Sequence, residues 1–473
     1  MRGDKMKNFY SRLTDILVIA IVAFLAASCG DFKKTNVVTP PSTNGKVDFT
    51  RYVSLGNSLV AGYESGALYE SAQRYSYPNQ IAQQASLATG STMVFNQPLI
   101  SDPGFGILGT TPIGRLQIVD LSTNPPKIEP AISASPTPIN ATTVMQPYNN
   151  LGIPGAILSD MMDTTNLSSP YPYLGSNNNP YFGIVLRNPL LGKSCVQQAL
   201  NLHPTFVTVE IGDNDILGYA TSGGISGYTS AQDFESKYTA LIDTLLADAP
   251  TAKIAIANIP DVTAIPFFTT ILPFIYGLNG QPTHVRMFVQ RHHADGSLYA
   301  GPADTLHDFI LLTAADSLAA LAGTSLSHPM PDEFVLDSSE VATARVQISG
   351  YNDALRRIAD AHSDRIALVD VHTLLNNIAQ QGYVSDGIVF TSAFISGGLF
   401  GLDGIHPTAQ GYGIVANEFI RTINAKFGSN IPLVAISSIP SSIVLAKSSI
   451  QPNVLPDISY KDLKSVLQLF DRR

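Results

Sequence analysis

The chain has 473 residues, of which 45% are hydrophobic and 14% are charged, and its formal net charge is −9. This composition is typical of a globular protein with a large buried core, and it argues against intrinsic disorder. Lysine and arginine do not cluster beyond the N-terminus, so the chain lacks the basic face that phosphate binding requires, and nucleic acid is a poor candidate partner.

The N-terminus has the pattern of an export signal. Lys5, Lys7 and Arg12 precede an apolar run over residues 16–27, which ends in small residues and Cys29. The run is short for a membrane span and has the three-part form of a signal peptide, which we predict over residues 1–28.

Cys29 suggests that this signal is of the lipoprotein type. The string Leu25-Ala26-Ala27-Ser28-Cys29 resembles a bacterial lipobox, although Ala26 occupies the position where leucine is usual. The resemblance implies a membrane-anchored lipoprotein of the bacterial cell envelope, with lipid on Cys29. Ordinary cleavage after Ser28 is the alternative, and it predicts a soluble periplasmic or secreted protein. Cys195, the only other cysteine in the sequence, is interpreted as a buried spectator.

Composition divides the remaining chain into a tether, a body and an extension. Residues 29–48 are polar and predict a flexible tether, residues 49–428 form the body, and residues 429–473 form a C-terminal extension. Long stretches near 98–148 and 282–341 are interpreted as insertions, of the kind that often act as lids or substrate walls. The second insertion contains a predicted apolar helix, Leu306–Leu321.

Short apolar runs alternate with helical patterns along the body. Ala231–Ala249 and Val346–Ala361 have apolar residues at helical spacing. Four other runs lack polar alternation, as parallel strands buried on both faces do. These runs are Tyr52–Leu55, Thr205–Ile211, Lys253–Ile259 and Arg365–Val371. The alternation predicts an α/β fold built on a mostly parallel sheet.

Two strings far apart in the sequence supply the groups that nucleophilic acyl transfer needs. Ser58 follows the first predicted strand, where its hydroxyl would face the crevice at the carboxyl edge of the sheet. Asp403 and His406 are three residues apart, so His406 could accept the Ser58 proton and Asp403 could fix the imidazole tautomer. Pro407 is suited to the first turn of a helix, so we predict that it lies in the first turn of the helix that follows.

Two further positions could stabilise an oxyanion. Gly155 can offer its backbone N–H, because no side chain blocks close approach there, and Asn214 can offer its side-chain NH₂. The backbone N–H of Ser58 would be a third donor. The alternative role for Asn214 is that of a helix cap. Asp213 and Asp215, its neighbours, are interpreted as structural.

Together these strings resemble the four blocks of the SGNH hydrolase superfamily, also called GDSL esterases and lipases. The blocks occur in the family's order, as Gly56–Leu59, Asn150–Gly155, Gly212–Asp215 and Asp403–Pro407. The resemblance covers roughly Phe49 to Phe427. It implies a flavodoxin-like three-layer α/β/α fold, hydrolysis of carboxylic esters through an acyl-enzyme, and no cofactor. Asn57 stands where the family usually has aspartate.

Two other patterns are weaker. His292-His293-x-Asp295, followed by His307-Asp308, matches no zinc-ligand spacing, so these residues are interpreted as solvated loop residues and no metal is predicted. The aromatic and apolar run Ile265–Tyr276 could line an acyl pocket or belong to the core.

The sequence therefore predicts an exported carboxylic ester hydrolase that acts on a small-molecule, lipid or glycan ester. A carbohydrate O-acetyl esterase is one alternative. A non-catalytic surface binding protein on the same fold is another. The oligomeric state is not predicted.

Overall fold

The computed structural model describes residues 42–441, apart from residues 44, 109–110, 121–125, 168–178, 277–281 and 294. The predicted signal peptide, the lipidation site Cys29, most of the tether and the end of the C-terminal extension lie outside the described residues. Within the described ranges, every helix is too short or too polar to cross a membrane.

Five parallel strands form the central sheet. In chain order they are β1 (Tyr52–Gly56), β2 (Asn150–Gly152), β3 (Phe206–Glu210), β4 (Lys253–Ala257) and β5 (Ile366–Val369). Their order across the sheet is β2-β1-β3-β4-β5, and every neighbouring pair is parallel. This is the strand order of flavodoxin-like doubly wound sheets, so the predicted fold class is confirmed. Four of these strands match the predicted apolar runs, whereas β2 has only three residues, too few for a periodic signal.

Helices cover both faces of the sheet and bury its strands. Helix α7 packs against α10, while α3 packs against α12. The twelve α-helices of the described residues are α1 (Ser58–Ala61), α2 (Glu70–Gln73), α3 (Tyr77–Thr89), α4 (Pro180–Leu186), α5 (Cys195–Asn201), α6 (Asn214–Thr221), α7 (Ala231–Asp248), α8 (Pro266–Thr269), α9 (Ala315–Ala319), α10 (Ser338–Ala361), α11 (Val371–Gln381) and α12 (Ala409–Phe427). Short 3₁₀ helices lie at Leu158–Met161, Pro189–Leu191, Val262–Ala264, Leu312–Ala314, Asp332–Phe334 and Ile436–Ser438.

Capping residues set the start of two long helices. Helix α10 begins eight residues before the predicted start, because Asp337 and Glu340 form a capping box that satisfies its first amides. Helix α12 begins at Ala409 with Thr408 as its N-cap, so the prediction that Pro407 lies in its first turn is wrong. The Thr408 hydroxyl accepts from the amide of Gly411, a bond that proline cannot supply.

Both insertions contain short antiparallel strand pairs. The first contains Gly106–Leu108 paired with Thr111–Ile113, and Leu116–Asp120 paired with Lys127–Pro130. The second begins with Pro282–Arg286, which pairs with Phe274–Tyr276, and continues with Phe288–His292 paired with Leu298–Pro302. A further hairpin, Tyr383–Ser385 with Ile388–Phe390, precedes the loop that leads to α12.

The predicted helix Leu306–Leu321 is wrong over most of its length. Phe309–Ile310 instead forms a strand pair with Val335–Leu336, and α9 covers only the five residues from Ala315 to Ala319. Ile310 and Val335 are fully buried in a small second apolar cluster. The apolar residues of this segment do have helical spacing, but pairing with a segment distant in sequence makes part of it a strand.

The packed body extends at both ends beyond residues 49–428. Val47 is buried in the core, and Thr43 pairs with Asn430. After α12 the chain folds back along the helix, where the Asn417 side-chain amide donates to the Val434 carbonyl at 3.0 Å. The sequence predicted a tether up to residue 48 because the composition there is polar. Val47 stands alone among polar residues, so it gives no periodic signal of a helix or strand.

Candidate active site

Strand β1 runs directly into the turn that carries Ser58. A Cβ at Gly56 would lie 2.0 Å from the carbonyl oxygen of Glu210 on the neighbouring strand, so only glycine fits at this point. Asn57 then caps α1, since its Oδ1 accepts from the amide of Leu59 at 2.9 Å. Ser58 is the first residue of α1, and its hydroxyl lies at the carboxyl edge of the sheet.

The loop before α12 brings Asp403 and His406 to this serine. The Nε2 atom of His406 lies 2.9 Å from Ser58 Oγ, and its Nδ1 atom lies 2.9 Å from Asp403 Oδ2. All three side chains are almost completely buried. Because Nδ1 faces a carboxylate, the imidazole proton belongs on Nδ1, which leaves Nε2 to accept a hydrogen bond from the serine hydroxyl.

Asp403 is held by several donors besides the imidazole. Its Oδ1 accepts from the backbone amides of Ile405 and His406, and its Oδ2 accepts from the amide of Gly66, each at 2.9 Å. Burial alone would raise the pKa of Asp403, but His406 and the backbone donors together lower it below its ordinary value. The carboxylate is therefore stable as an anion inside the protein.

Gly66 and Tyr63 belong to this site, and sequence reasoning missed both. The Tyr63 ring packs against the His406 ring with 4.8 Å between centroids, and its hydroxyl donates to the Gly66 carbonyl. Tyr412 on α12 donates in turn to the Tyr63 carbonyl at 2.6 Å. The loop after α1 thus supports both the imidazole and the carboxylate. The one local feature of the sequence that could have indicated these two residues is the position of their loop, directly after the Ser58 helix.

The predicted oxyanion donors lie at the ends of β1, β2 and β3, which are neighbours in the sheet. Gly155 is in the turn after β2 with a φ of 73°, and Asn214 is the first residue of α6. The Asn214 side-chain NH₂ donates one hydrogen to the Ala156 carbonyl at 2.8 Å, which leaves its second hydrogen available. Within the described residues, the amides of Ser58 and Gly155 have no hydrogen-bond partner.

Gly152 has a packing role instead. A Cβ on this residue would lie 2.3 Å from the backbone nitrogen of Ala61, so glycine lets α1 approach β2 closely. Its own amide donates to Asn150 Oδ1 at 3.0 Å. Of the two glycines in the second sequence block, Gly155 is therefore the one with an available N–H.

Buried acidic residues lie directly beneath the Ser58 turn. Asn57 Nδ2 donates to Asp213 Oδ2 at 2.8 Å. Burial raises the pKa of Asp213 to about 6, and burial together with repulsion from Asp213 raises the pKa of Glu210 well above its ordinary value. Asp215 accepts from the amide of Leu158 at 2.8 Å, as expected for a structural residue.

An apolar cavity of about 100 Å³ lies among residues that are next in sequence to Ser58 and His406, although neither of these two residues lines it. Its walls include Leu59, which follows Ser58, and Ile405 and Pro407, which flank His406. Ile265, Phe267 and Phe268, from the same aromatic run, are all buried in the core, and of these three only Ile265 lines the cavity.

The structure separates the histidines that the sequence placed in one pattern. The His293 ring stacks on the Tyr299 ring, and His307 Nδ1 lies 2.9 Å from Asp304 Oδ2. His292 instead meets Asp332 and Glu340, and one potential ligand atom from each lies within 4.8 Å of the others. These three residues could hold a cation, although one Glu340 oxygen already accepts from the Asp337 amide in the capping box of α10. Cys195 is fully buried, and burial raises the pKa of its thiol.

Comparison with known proteins gives a family match. A model of GDSL-like lipases and acylhydrolases matches residues 52–419. No curated protein matches the chain significantly. Among solved structures, LAE5, an alpha/beta hydrolase enzyme from the metagenome of Lake Arreo in Spain, is 12% identical over 79% of this chain and 95% of its own, with a TM-score of 0.33.

Two esterase structures are similar at the same level. A mutant of Axe2, an acetyl-xylooligosaccharide esterase from Geobacillus stearmophilus, is 12% identical over 79% of this chain and 93% of its own, with a TM-score of 0.33. A family two carbohydrate esterase from Clostridium thermocellum is 11% identical over 80% of this chain and 64% of its own, with a TM-score of 0.30.

The fold and the family model together define a class of hydrolase. The family model spans most of the chain, from β1 to the middle of α12. The chain belongs to the GDSL-like lipase/acylhydrolase family, and the predicted membership is confirmed. It is accordingly a carboxylic ester hydrolase.

Proposed function

We propose that the protein hydrolyses carboxylic esters through an acyl-enzyme formed on Ser58. The observation that supports this most directly is the continuous hydrogen-bonded chain from Asp403 through His406 to Ser58, with both contacts at 2.9 Å. A nucleophile, a base and an orienting carboxylate in contact are the requirements of this chemistry.

In the first half of the reaction, Ser58 Oγ attacks the ester carbonyl carbon while His406 Nε2 takes the hydroxyl proton. Collapse of the tetrahedral intermediate breaks the bond to the alcohol oxygen, and His406 returns the proton to that oxygen. Water then attacks the acyl-enzyme with His406 again as base, which releases the carboxylic acid and restores the serine. Asp403 stays ionised throughout and stabilises the imidazolium, in keeping with its lowered pKa.

The oxyanion of the intermediate would be held by three donors. These are the backbone amides of Ser58 and Gly155 and the second side-chain hydrogen of Asn214. Donors that are already oriented toward developing charge usually make a large contribution to catalysis, because they need no reorganisation during the reaction.

We propose that the acyl group of the substrate is short. Leu59 and Ile405, which are next in sequence to Ser58 and His406, line a cavity of about 100 Å³, and we propose that this cavity receives the acyl group. It is smaller than a pocket for a drug-sized ligand, which typically reaches ~300 Å³ or more. A series of p-nitrophenyl esters from acetate to decanoate should therefore show a kcat/KM that falls with chain length. Acetylated polysaccharide assayed in parallel would identify a carbohydrate O-acetyl esterase, and a preference for long chains would reject the proposal.

Replacement of Ser58 by alanine tests the mechanism. Ser58→Ala should abolish hydrolysis of p-nitrophenyl acetate and labelling by a fluorophosphonate probe, without loss of folding. Ser54→Ala is a matched control, since Ser54 is also buried on β1 but accepts from Thr208 at 2.8 Å rather than from the site. Unchanged turnover in Ser58→Ala would sink the assignment. Wild-type protein that resists the probe would instead favour a non-catalytic binding protein.

We also propose that the protein is anchored in the cell envelope through lipid on Cys29. The basic residues, apolar run and small residues that precede this cysteine support the proposal. Metabolic labelling with a palmitate analogue should mark the wild type but not Cys29→Ala, which should also leave the membrane fraction. An unlabelled wild type would favour ordinary cleavage and a soluble product.

A further inference from the structure

We propose that Asn57 and Asp213 form a positioning pair that holds the Ser58 turn against the turn that carries Asn214. The inference rests on the proposed function, because it assigns these two residues to the alignment of nucleophile and oxyanion donor. Neither residue would touch the substrate.

The sheet explains why such a link is needed. Strands β1 and β3 are paired up to Gly56 and Glu210, after which both chains turn and enter helices. Backbone pairing therefore stops one residue before Asn57. The hydrogen bond from Asn57 Nδ2 to Asp213 Oδ2 continues the connection, and it joins residues 156 positions apart in the chain.

Each partner is one residue from a group of the proposed reaction. Asn57 precedes Ser58, and Asp213 precedes Asn214. The Asn57 amide has both its ends engaged, since its oxygen accepts from the amide of Leu59 at 2.9 Å. Rotation of this side chain would therefore break two bonds, one within the Ser58 turn and one to the Asn214 turn.

The chemistry of the pair fixes which residue can be the acid. Both side chains are buried, with Asn57 1% and Asp213 6% exposed. A second carboxylate at position 57 would place two carboxylate oxygens about 2.8 Å apart, so the pair would either repel as two anions or take up a proton that the asparagine–aspartate pair does not need. Like charges in such a setting repel strongly. Asparagine at position 57 and aspartate at position 213 are thus complementary, which accounts for the departure from the aspartate that the family usually has.

An exchange of the two residues tests the proposal. Asn57→Asp should lower kcat by ~100-fold with little change in KM, because the two turns separate by a fraction of an ångström or more. The double variant Asn57→Asp with Asp213→Asn restores one amide and one carboxylate, and it should recover most of that loss. Asp213→Asn alone keeps an amide-to-amide hydrogen bond and should lose less than Asn57→Asp does.

Asn258 supplies a control with the same hydrogen-bond pattern at a more exposed position. Its side chain is arranged like that of Asn57, because Nδ2 donates to Asp370 Oδ1 at 2.7 Å while Oδ1 accepts from the amide of His372 at 2.8 Å. The pair lies after β4, and it is outside the reaction centre that we propose. Asn258→Asp should leave kcat and KM unchanged.

Two results would overturn the inference. One is an Asn57→Asp variant with wild-type kcat, and the other is a double variant as impaired as Asn57→Asp. A purely structural role would lower the melting temperature but spare kcat at temperatures where the variant is folded. Melting temperatures of Asn57→Asp, Asp213→Asn and the double variant, each combined with Ser58→Ala, form a double-mutant cycle. This cycle measures the coupling between the two side chains without relying on catalysis. Failure of the proposed function therefore shows in Ser58→Ala alone, separately from failure of the pair.

Discussion

Replacement of Asp403 by asparagine removes the charge at the buried end of the hydrogen-bonded chain. The carboxylate accepts at Oδ1 from the amides of Ile405 and His406, and at Oδ2 from the amide of Gly66 and from His406 Nδ1. Asparagine has one oxygen and one NH₂. If its oxygen keeps the two loop amides, the NH₂ faces both the Gly66 amide and the imidazole.

That arrangement reverses the imidazole tautomer. The NH₂ of the new side chain can only donate, so His406 Nδ1 must accept and the ring proton moves to Nε2. Nε2 then faces Ser58 Oγ with a hydrogen rather than a lone pair and cannot act as base. We expect kcat to fall by ~10³–10⁴, which corresponds to about 4–5.5 kcal/mol in the activation barrier.

The assay is steady-state hydrolysis of p-nitrophenyl acetate, with thermal denaturation followed in parallel. Asp337→Asn is the matched control, because Asp337 is also a buried carboxylate that accepts backbone amides and lies 3.3 Å from a histidine, His292. This control should lose stability and keep kcat. An Asp403→Asn enzyme that folds and retains more than a tenth of wild-type kcat would refute the reasoning.

Three further substitutions, at the ends of β2 and β3, test the neighbourhood of Ser58. Glu210→Gln should gain stability relative to wild type as the pH rises. Folding raises the pKa of Glu210 well above 4.5, so the wild type loses ~1.4 kcal/mol of unfolding free energy per pH unit until the folded pKa is reached. Chemical denaturation at pH 5 and pH 8 measures this, and equal differences at both values would contradict it. Asn214→Ala should lower kcat by ~10²–10³ with little change in KM, and an unchanged kcat in the same ester assay would remove it from the oxyanion site. Gly152→Ala should lower the melting temperature, because its Cβ would lie 2.3 Å from the Ala61 nitrogen, and a stable variant would show that α1 can move.

Local patterns predicted most of the central fold. The runs that became β1, β3, β4 and β5 are continuous and apolar, since parallel strands covered on both faces need apolar side chains at every position. Strand β2 was missed because three residues carry no period. The start of α10 was also missed, although Asp337 and Glu340 have the spacing of a capping box.

Long-range contacts limited the rest of the prediction. The segment around Phe309 and Ile310 has a helical apolar spacing, yet pairing with Val335–Leu336 makes it a strand. His292 lies beside other histidines in the sequence, whereas in space it meets Asp332 and Glu340, which are 40 or more positions away. No local pattern contains this information.

The sequence by itself determined the fold class and the family, and it indicated Ser58, Asp403 and His406 as the candidate catalytic residues, because each depends on short strings read at fixed spacing. Only the tertiary structure decided how those strings meet. It placed the hydroxyl and carboxylate on opposite nitrogens of one imidazole, packed Tyr63 against that ring, brought the Gly66 amide to the carboxylate, and paired Asn57 with Asp213 across two strands. Apart from the contact between Asp403 and His406, which are three positions apart, these contacts join residues more than 150 positions apart, and they arise from sheet pairing and burial, which no local stretch of sequence specifies.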